Sequence, residues 1–206
     1  MEPLFYNLRF NIWPGGIVLL IVPLTLLWRK KRSPYYILCF SIFSLYLLFA
    51  MQQVFFPIEI NGDYAGYMRQ EAAFRSSINL IPFYFGPFGT LESGLRTMVL
   101  NVILTVPFGL GINFVAPVRA KDFLWIAPVV GLGLETAQLI ISLMLRYPYR
   151  LVDINDALMN ALGVLVGCGI FKVFAWLYVL ATQRLNIEHR GLAAYINDVA
   201  TQTHTW

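Results

Sequence analysis

Five stretches of this chain run for about twenty residues with at most two charged side chains in each, and that feature restricts the fold more than any other. They cover residues 12–28, 34–56, 97–118, 123–145 and 156–181. About 20 helical residues are needed to cross a hydrocarbon layer about 30 Å thick, so each stretch reads as a membrane span. Composition agrees: 58% of residues are apolar, 13% are charged and the mean hydropathy is +0.65. Soluble domains carry roughly 45–50% apolar and about 25% charged residues. The expected fold is all-α: a polytopic integral membrane helical bundle of about five transmembrane helices. Residues 1–56 supply two N-terminal spans, 57–181 a core of one outer loop and three spans, and 182–206 a polar tail.

The net charge of +4 and pI of about 9.1 do not point to nucleic acid, because the basic residues form no continuous face. They sit at the ends of apolar runs, where they act as topology signals. Arg29, Lys30, Lys31 and Arg32 close the first run and mark that end as cytoplasmic. Alternation then puts Arg119, Lys121, Arg184 and Arg190 inside, the N-terminus outside and the C-terminus in the cytoplasm. The segment from Pro57 to Arg96 and the loop from Arg146 to Asn155 lie outside. The basic cluster follows the first run instead of preceding it, and no small-residue cleavage motif follows, so an uncleaved span is expected. Cys39 and Cys168 fall inside apolar runs and read as small buried residues.

Polar groups inside spans are costly, about 2.5–3.5 kcal/mol for a charge at the bilayer centre on insertion scales, and they define the candidate site. Glu135 lies in mid-span with Gln138 three residues on, hence on one helical face. Gly131, Gly133 and Ala137 nearby would admit a neighbouring helix. At the start of the fifth span, positions 153, 156, 160, 163 and 167 are three or four apart. A helix there carries one stripe that begins with Asp153 and Asp156, passes Asn160 and continues as Gly163 and Gly167. Arg150 precedes it. Asn101 belongs to the third span, which should kink or break at Pro107-Phe108-Gly109. Asn101, Gln138, Asp156 and Asn160 all fall in the outer half, with Glu135 beneath them. Asn101, Glu135, Gln138, Arg150, Asp153, Asp156 and Asn160 therefore form the expected pocket. The packing alternative pairs Glu135 with Arg150 or Arg96 and uses the asparagines as interhelical ties.

His189 and His204 lie in the tail, away from the carboxylates, which argues against a histidine-ligated zinc or a Ser-His-Asp triad. No metal and no cofactor is assigned. Tyr64, Tyr67, Phe74, Phe83, Tyr84, Phe85 and Phe88 form an aromatic rim in the outer segment, read first as an interfacial belt. Alternatively they receive a lipid head group or sugar, with Arg69 and Arg75 near its phosphate.

Four pieces occur in order: Asn79-Leu80-Ile81-Pro82-Phe83; Asn101 through Thr105 to Pro107-Phe108-Gly109; Glu135-Thr136-Ala137-Gln138; and Arg150, Asp153, Asp156, Asn160, Gly163 and Gly167 at their spacings. Together they resemble the VanZ-like family, named for a glycopeptide-resistance protein that lowers susceptibility to teicoplanin. The resemblance covers residues 79 to 167. It implies a multi-pass bacterial cell-membrane protein that protects against lipid-bearing glycopeptides. The expected partners are membrane lipids or a lipid-linked cell-wall intermediate, and the glycopeptide itself. The alternative is a membrane enzyme acting on a lipid-linked envelope substrate, with Glu135 or Asp156 as acid or base.

Overall fold

The computed structural model describes residues 9–10, 13–59, 69, 74–84, 90–116 and 118–202. Six helices occur among them: α1 (Trp13–Arg29), α2 (Pro34–Phe55), α3 (Leu91–Gly111), α4 (Phe123–Leu145), α5 (Ile154–Arg184) and α6 (Leu192–Gln202). Two-residue strands add local ties. β1 (Arg9–Phe10) pairs antiparallel with β2 (Ile58–Glu59), and β3 (Ile78–Asn79) pairs parallel with β4 (Val152–Asp153). The fold is an all-α bundle. Helices α2 to α5 are long and apolar enough to cross a membrane. Helix α1, with 17 residues, stands at the lower limit of about 17 for a span. The five expected spans thus resolve into four long ones and one short one.

Helix α5 is the central element, packed along both α3 and α4. Small residues set that closeness. A Cβ on Gly109 would overlap the Val164 carbonyl, one on Gly167 the Val106 carbonyl, and one on Gly131 the Ala157 carbonyl. Gly163 is closed in the same way by Thr105 Oγ1 and the Val102 carbonyl. The Thr105 hydroxyl donates across the interface to the Asn160 carbonyl at 2.8 Å. Gly133 differs from the expectation: its face is open, with nothing among the described residues within 4 Å of a Cβ placed there. Two residues of α-helix turn the chain by about 200°, which carries Gly133 away from the side that Gly131 presents to α5.

Phe123, Ala127, Val164 and Cys168 form the buried core of these helices. Helix α2 joins α3 and the turn beyond it through hydroxyl donors: Tyr46 to the Leu104 carbonyl of α3 at 2.8 Å and Tyr36 to the Val115 carbonyl, past the end of α3, at 3.2 Å. The break expected at Pro107 is absent. Helix α3 runs through it to Gly111 and only then tightens into a 3-10 turn at 112–114. The amide of Asn113 donates to the Gly109 carbonyl at 3.0 Å, which gives a carbonyl near the helix end a partner.

The expected tail is also structured. Leu192, Tyr195, Ile196 and Val199 recur at helical spacing, and α6 lays Val199 and Ala200 against Phe171 and Ala175 of α5. The Tyr195 hydroxyl donates to the Phe114 carbonyl. A polar average over the segment concealed this amphipathic stripe.

Candidate functional site

The start of α5 does not stand level with the end of α4. Glu135 is buried near the midpoint of α4, and its Oε2 accepts the Asp153 N–H at 2.9 Å. Helix α4 continues ten residues past Glu135, about 15 Å of rise. The segment 146–153 therefore folds back along α4, to the depth of its middle, before α5 begins. Non-helical backbone at such a depth is tolerated only where its N–H and C=O groups find partners inside the protein.

Main chain supplies most of those partners, with the Arg146 and Tyr147 N–H groups donating to the Leu143 and Ser142 carbonyls and β4 pairing with β3, and side chains then fix the head of α5. Asp153 caps α5: its Oδ1 accepts the Asn155 N–H at 2.8 Å and the Asn79 amide at 2.9 Å. The Asn79 amide also donates to the Tyr84 carbonyl at 2.9 Å, while its Oδ1 accepts the Ile81 N–H at 3.1 Å. Asn155, itself buried, accepts the Phe83 N–H at 2.6 Å and donates to the Tyr84 carbonyl at 3.2 Å. Phe83 has a φ of +59°, a left-handed conformation that a bulky residue rarely adopts. The turn 80–84 is thus strapped to the head of α5 by Asn79, Asp153 and Asn155. Asn155→Ala should leave the Phe83 N–H without its acceptor, at a cost of about 1–3 kcal/mol. Hydrogen exchange at 81–84 should accelerate while that of α3 and α4 stays unchanged.

Beside this strap lies a cavity of about 990 Å³. Its walls come from the second half of α2 (Tyr46, Phe49, Gln53), α3 from Thr97 to Pro107 (with Asn101 and Leu104), the middle of α4 (Glu135, Gln138), the loop 148–151 and the head of α5 (Asp156, Asn160). Six of the seven expected residues, namely Asn101, Glu135, Gln138, Arg150, Asp156 and Asn160, line it together. Asp153 does not, because its carboxylate is turned to the helix cap and to Asn79. Among the described residues Glu135 pairs with neither Arg150 nor Arg96. Arg150 donates to the Phe56 carbonyl at 3.3 Å, and the Gln138 amide to the Val54 carbonyl at 3.2 Å, so both tie α2 to the cavity.

Among the described residues, several polar atoms of the lining have no partner at hydrogen-bond geometry: Asn101 Nδ2, Asn160 Oδ1 and the Tyr149 hydroxyl. Asn101 interacts with the Asp156 carboxylate, but not at hydrogen-bond geometry. Of the expected aromatic rim, Phe83 and Tyr84 are exposed beside the strap. Arg69 stacks over the Tyr147 ring at 5.5 Å. Tyr64, Tyr67, Phe85 and Phe88 lie outside the described residues, as do the side chains of Phe74 and Arg75, and His204.

Sequence reasoning passed over Asn155, Tyr149, Tyr46 and Gln53. Asn155 sits next to Asp156 but off the three-and-four stripe, so a search for one helical face discards it. Helix α2 fell on the other side of the boundary drawn at residue 56, although it walls the cavity.

Among known families, the profile described as VanZ/LLP1 aligns with residues 43–175. The matched segment starts inside α2 and ends in α5, and so includes every helix that lines the cavity. No curated protein and no solved structure matches the chain.

Proposed function

The chain belongs to the VanZ-like family, and from that premise we propose that it is a bacterial cell-membrane protein that lowers susceptibility to lipid-bearing glycopeptides of the teicoplanin type. It acts through the cavity, which engages a lipid-linked envelope component or the drug's acylated portion and so reduces productive contact between drug and target. The observation that carries this reading is the convergence of four helices and a folded-back loop on one largely apolar cavity with a few polar groups set into it, since ligand sites are mostly apolar with a few placed polar groups. Arg29 to Arg32 lie between α1 and α2, at the end of the bundle away from the cavity. With that cluster cytoplasmic, the cavity faces outward.

The test is teicoplanin and vancomycin susceptibility in a sensitive Gram-positive host, at matched membrane abundance. Wild type should raise teicoplanin tolerance at least fourfold and vancomycin tolerance less. Arg150→Ala and Asn101→Ala should each remove most of the gain. Full protection by both variants would sink the cavity as the site. Two carboxyl-bearing residues on one cavity, Glu135 and Asp156, favour a second reading, a membrane enzyme with these groups as acid and base. A new or missing envelope lipid in cells expressing the protein would select it.

A further inference from the structure

The lining of the cavity narrows its ligand class. We infer that the cavity receives the head group of a zwitterionic aminophospholipid, with a primary ammonium at Asp156 and a phosphodiester at Arg150. The inference rests on the reading of the cavity as a ligand site and adds which head group fits it.

Charge is the first argument. Among the described lining residues Arg150 is the one cationic side chain, and it shares the cavity with the carboxyl groups of Glu135 and Asp156. A pyrophosphate or a purely anionic head would meet one guanidinium and two acidic groups, a poor balance where low dielectric strengthens every unpaired charge. Glu135 is engaged by the Asp153 N–H. Asp156 forms no ion pair among the described residues and has Asn101 beside it. A ligand carrying one positive and one negative group complements Asp156 and Arg150 together.

Hydrogen-bonding capacity is the second argument. Asn160 is 3% exposed, lines the cavity, and its Oδ1 has no partner among the described residues. Buried polar groups of this kind are exceptions that require a reason. One turn of α5 places Asn160 on the same face as Asp156. An ammonium with three N–H donors can satisfy both, whereas a quaternary ammonium offers no N–H donor.

The third argument is access. Phe49, Leu100 and Ile103 line the cavity and are 50%, 53% and 60% exposed. They belong to α2 and α3, two helices long and apolar enough to cross a membrane, so acyl chains can lie along this wall while the head group occupies the polar end. A volume of about 990 Å³ is at the upper end of the range for small-molecule sites, about 300–1,000 Å³, and accommodates a head group with its first chain segments.

The experiment uses the full chain, delipidated in mild detergent and titrated with synthetic dioleoyl lipids bearing phosphoethanolamine, phosphocholine, phosphoglycerol or N-acetyl-phosphoethanolamine heads. Retained lipid is read by native mass spectrometry and thermal midpoint. Phosphoethanolamine lipid should be retained at least tenfold more strongly than the other three. Asp156→Asn should remove its advantage over phosphoglycerol, and Arg150→Gln should weaken both. Equal retention of phosphoglycerol or N-acetyl lipid by wild type would overturn the inference, and that comparison does not depend on how any variant folds. Susceptibility assays on the same variants separate the two claims. Lost teicoplanin protection with no head-group preference overturns this inference and leaves the proposed function standing. Head-group preference with unaltered susceptibility supports the lipid site and sinks the resistance reading.

Discussion

Gly167→Leu should leave almost no folded protein in the membrane, while Gly133→Leu should be nearly silent. At Gly167 a Cβ already overlaps the Val106 carbonyl and crowds the Leu110 nitrogen, so the obstacle is main chain of α3 and cannot rotate aside. Overpacking against side chains costs about 1–3 kcal/mol. Against a helix backbone the two axes must separate, which also opens the neighbouring contacts of Gly109 and Gly163 and the bond from Thr105 to the Asn160 carbonyl. Several kcal/mol is a large part of a stability of about 5–15 kcal/mol. Gly133 has open space before it, and replacing a helix-interior glycine gains up to about 1 kcal/mol of propensity. Size-exclusion profiles and thermal midpoints of the two variants in detergent check the contrast. Equal behaviour would mean that α3 and α5 do not approach as described.

Glu135 gives the second large effect, and two substitutions divide its roles. Glu135→Ala takes the acceptor from the Asp153 N–H, leaving a buried donor unpaired at a cost of about 1–3 kcal/mol. The head of α5 should then open locally, with exchange at 152–155 faster by roughly tenfold to a hundredfold, since about 1.4 kcal/mol is tenfold. Protection against teicoplanin should be lost with it. Glu135→Gln keeps an oxygen acceptor in the same place, so slow exchange and most of the protection should survive. Slow exchange with protection abolished in Glu135→Gln would show that the carboxyl group itself acts in the cavity, and would move the weight to the enzyme reading.

How far the sequence reached depended on the kind of signal each residue carries. Spans α2 to α5 were legible because a run of about twenty uncharged residues has few other uses, and the cavity residues because polar groups inside such runs are expensive. Asp153 was legible as polar but not as a cap, since a carboxylate at a helix start serves a cap or a cavity equally well by spacing alone. Pro107 left two outcomes open, a kink or a break, and only the break is absent: the missing N–H is local, but whether neighbours keep the helix together is decided by packing. Gly131 and Gly133 look alike in sequence and differ only in which side faces α5. The strap formed by Asn79 and Asn155 joins residues 76 positions apart, and no periodicity within one element encodes that meeting.

The central place of α5 has a consequence in time. Helices α3 and α4 are made first, each carrying polar residues, Asn101 on one and Glu135 and Gln138 on the other. Both then pack along a helix that has not yet been synthesised. Until the ribosome delivers residues 153 to 167, Glu135 has no Asp153 N–H to receive, and Gly109 and Gly131 face lipid or a chaperone. The bundle closes only when its last long span slides between two waiting partners. Chains released before about residue 167 should therefore insert into the membrane yet stay protease-sensitive, which limited proteolysis of truncated chains would read.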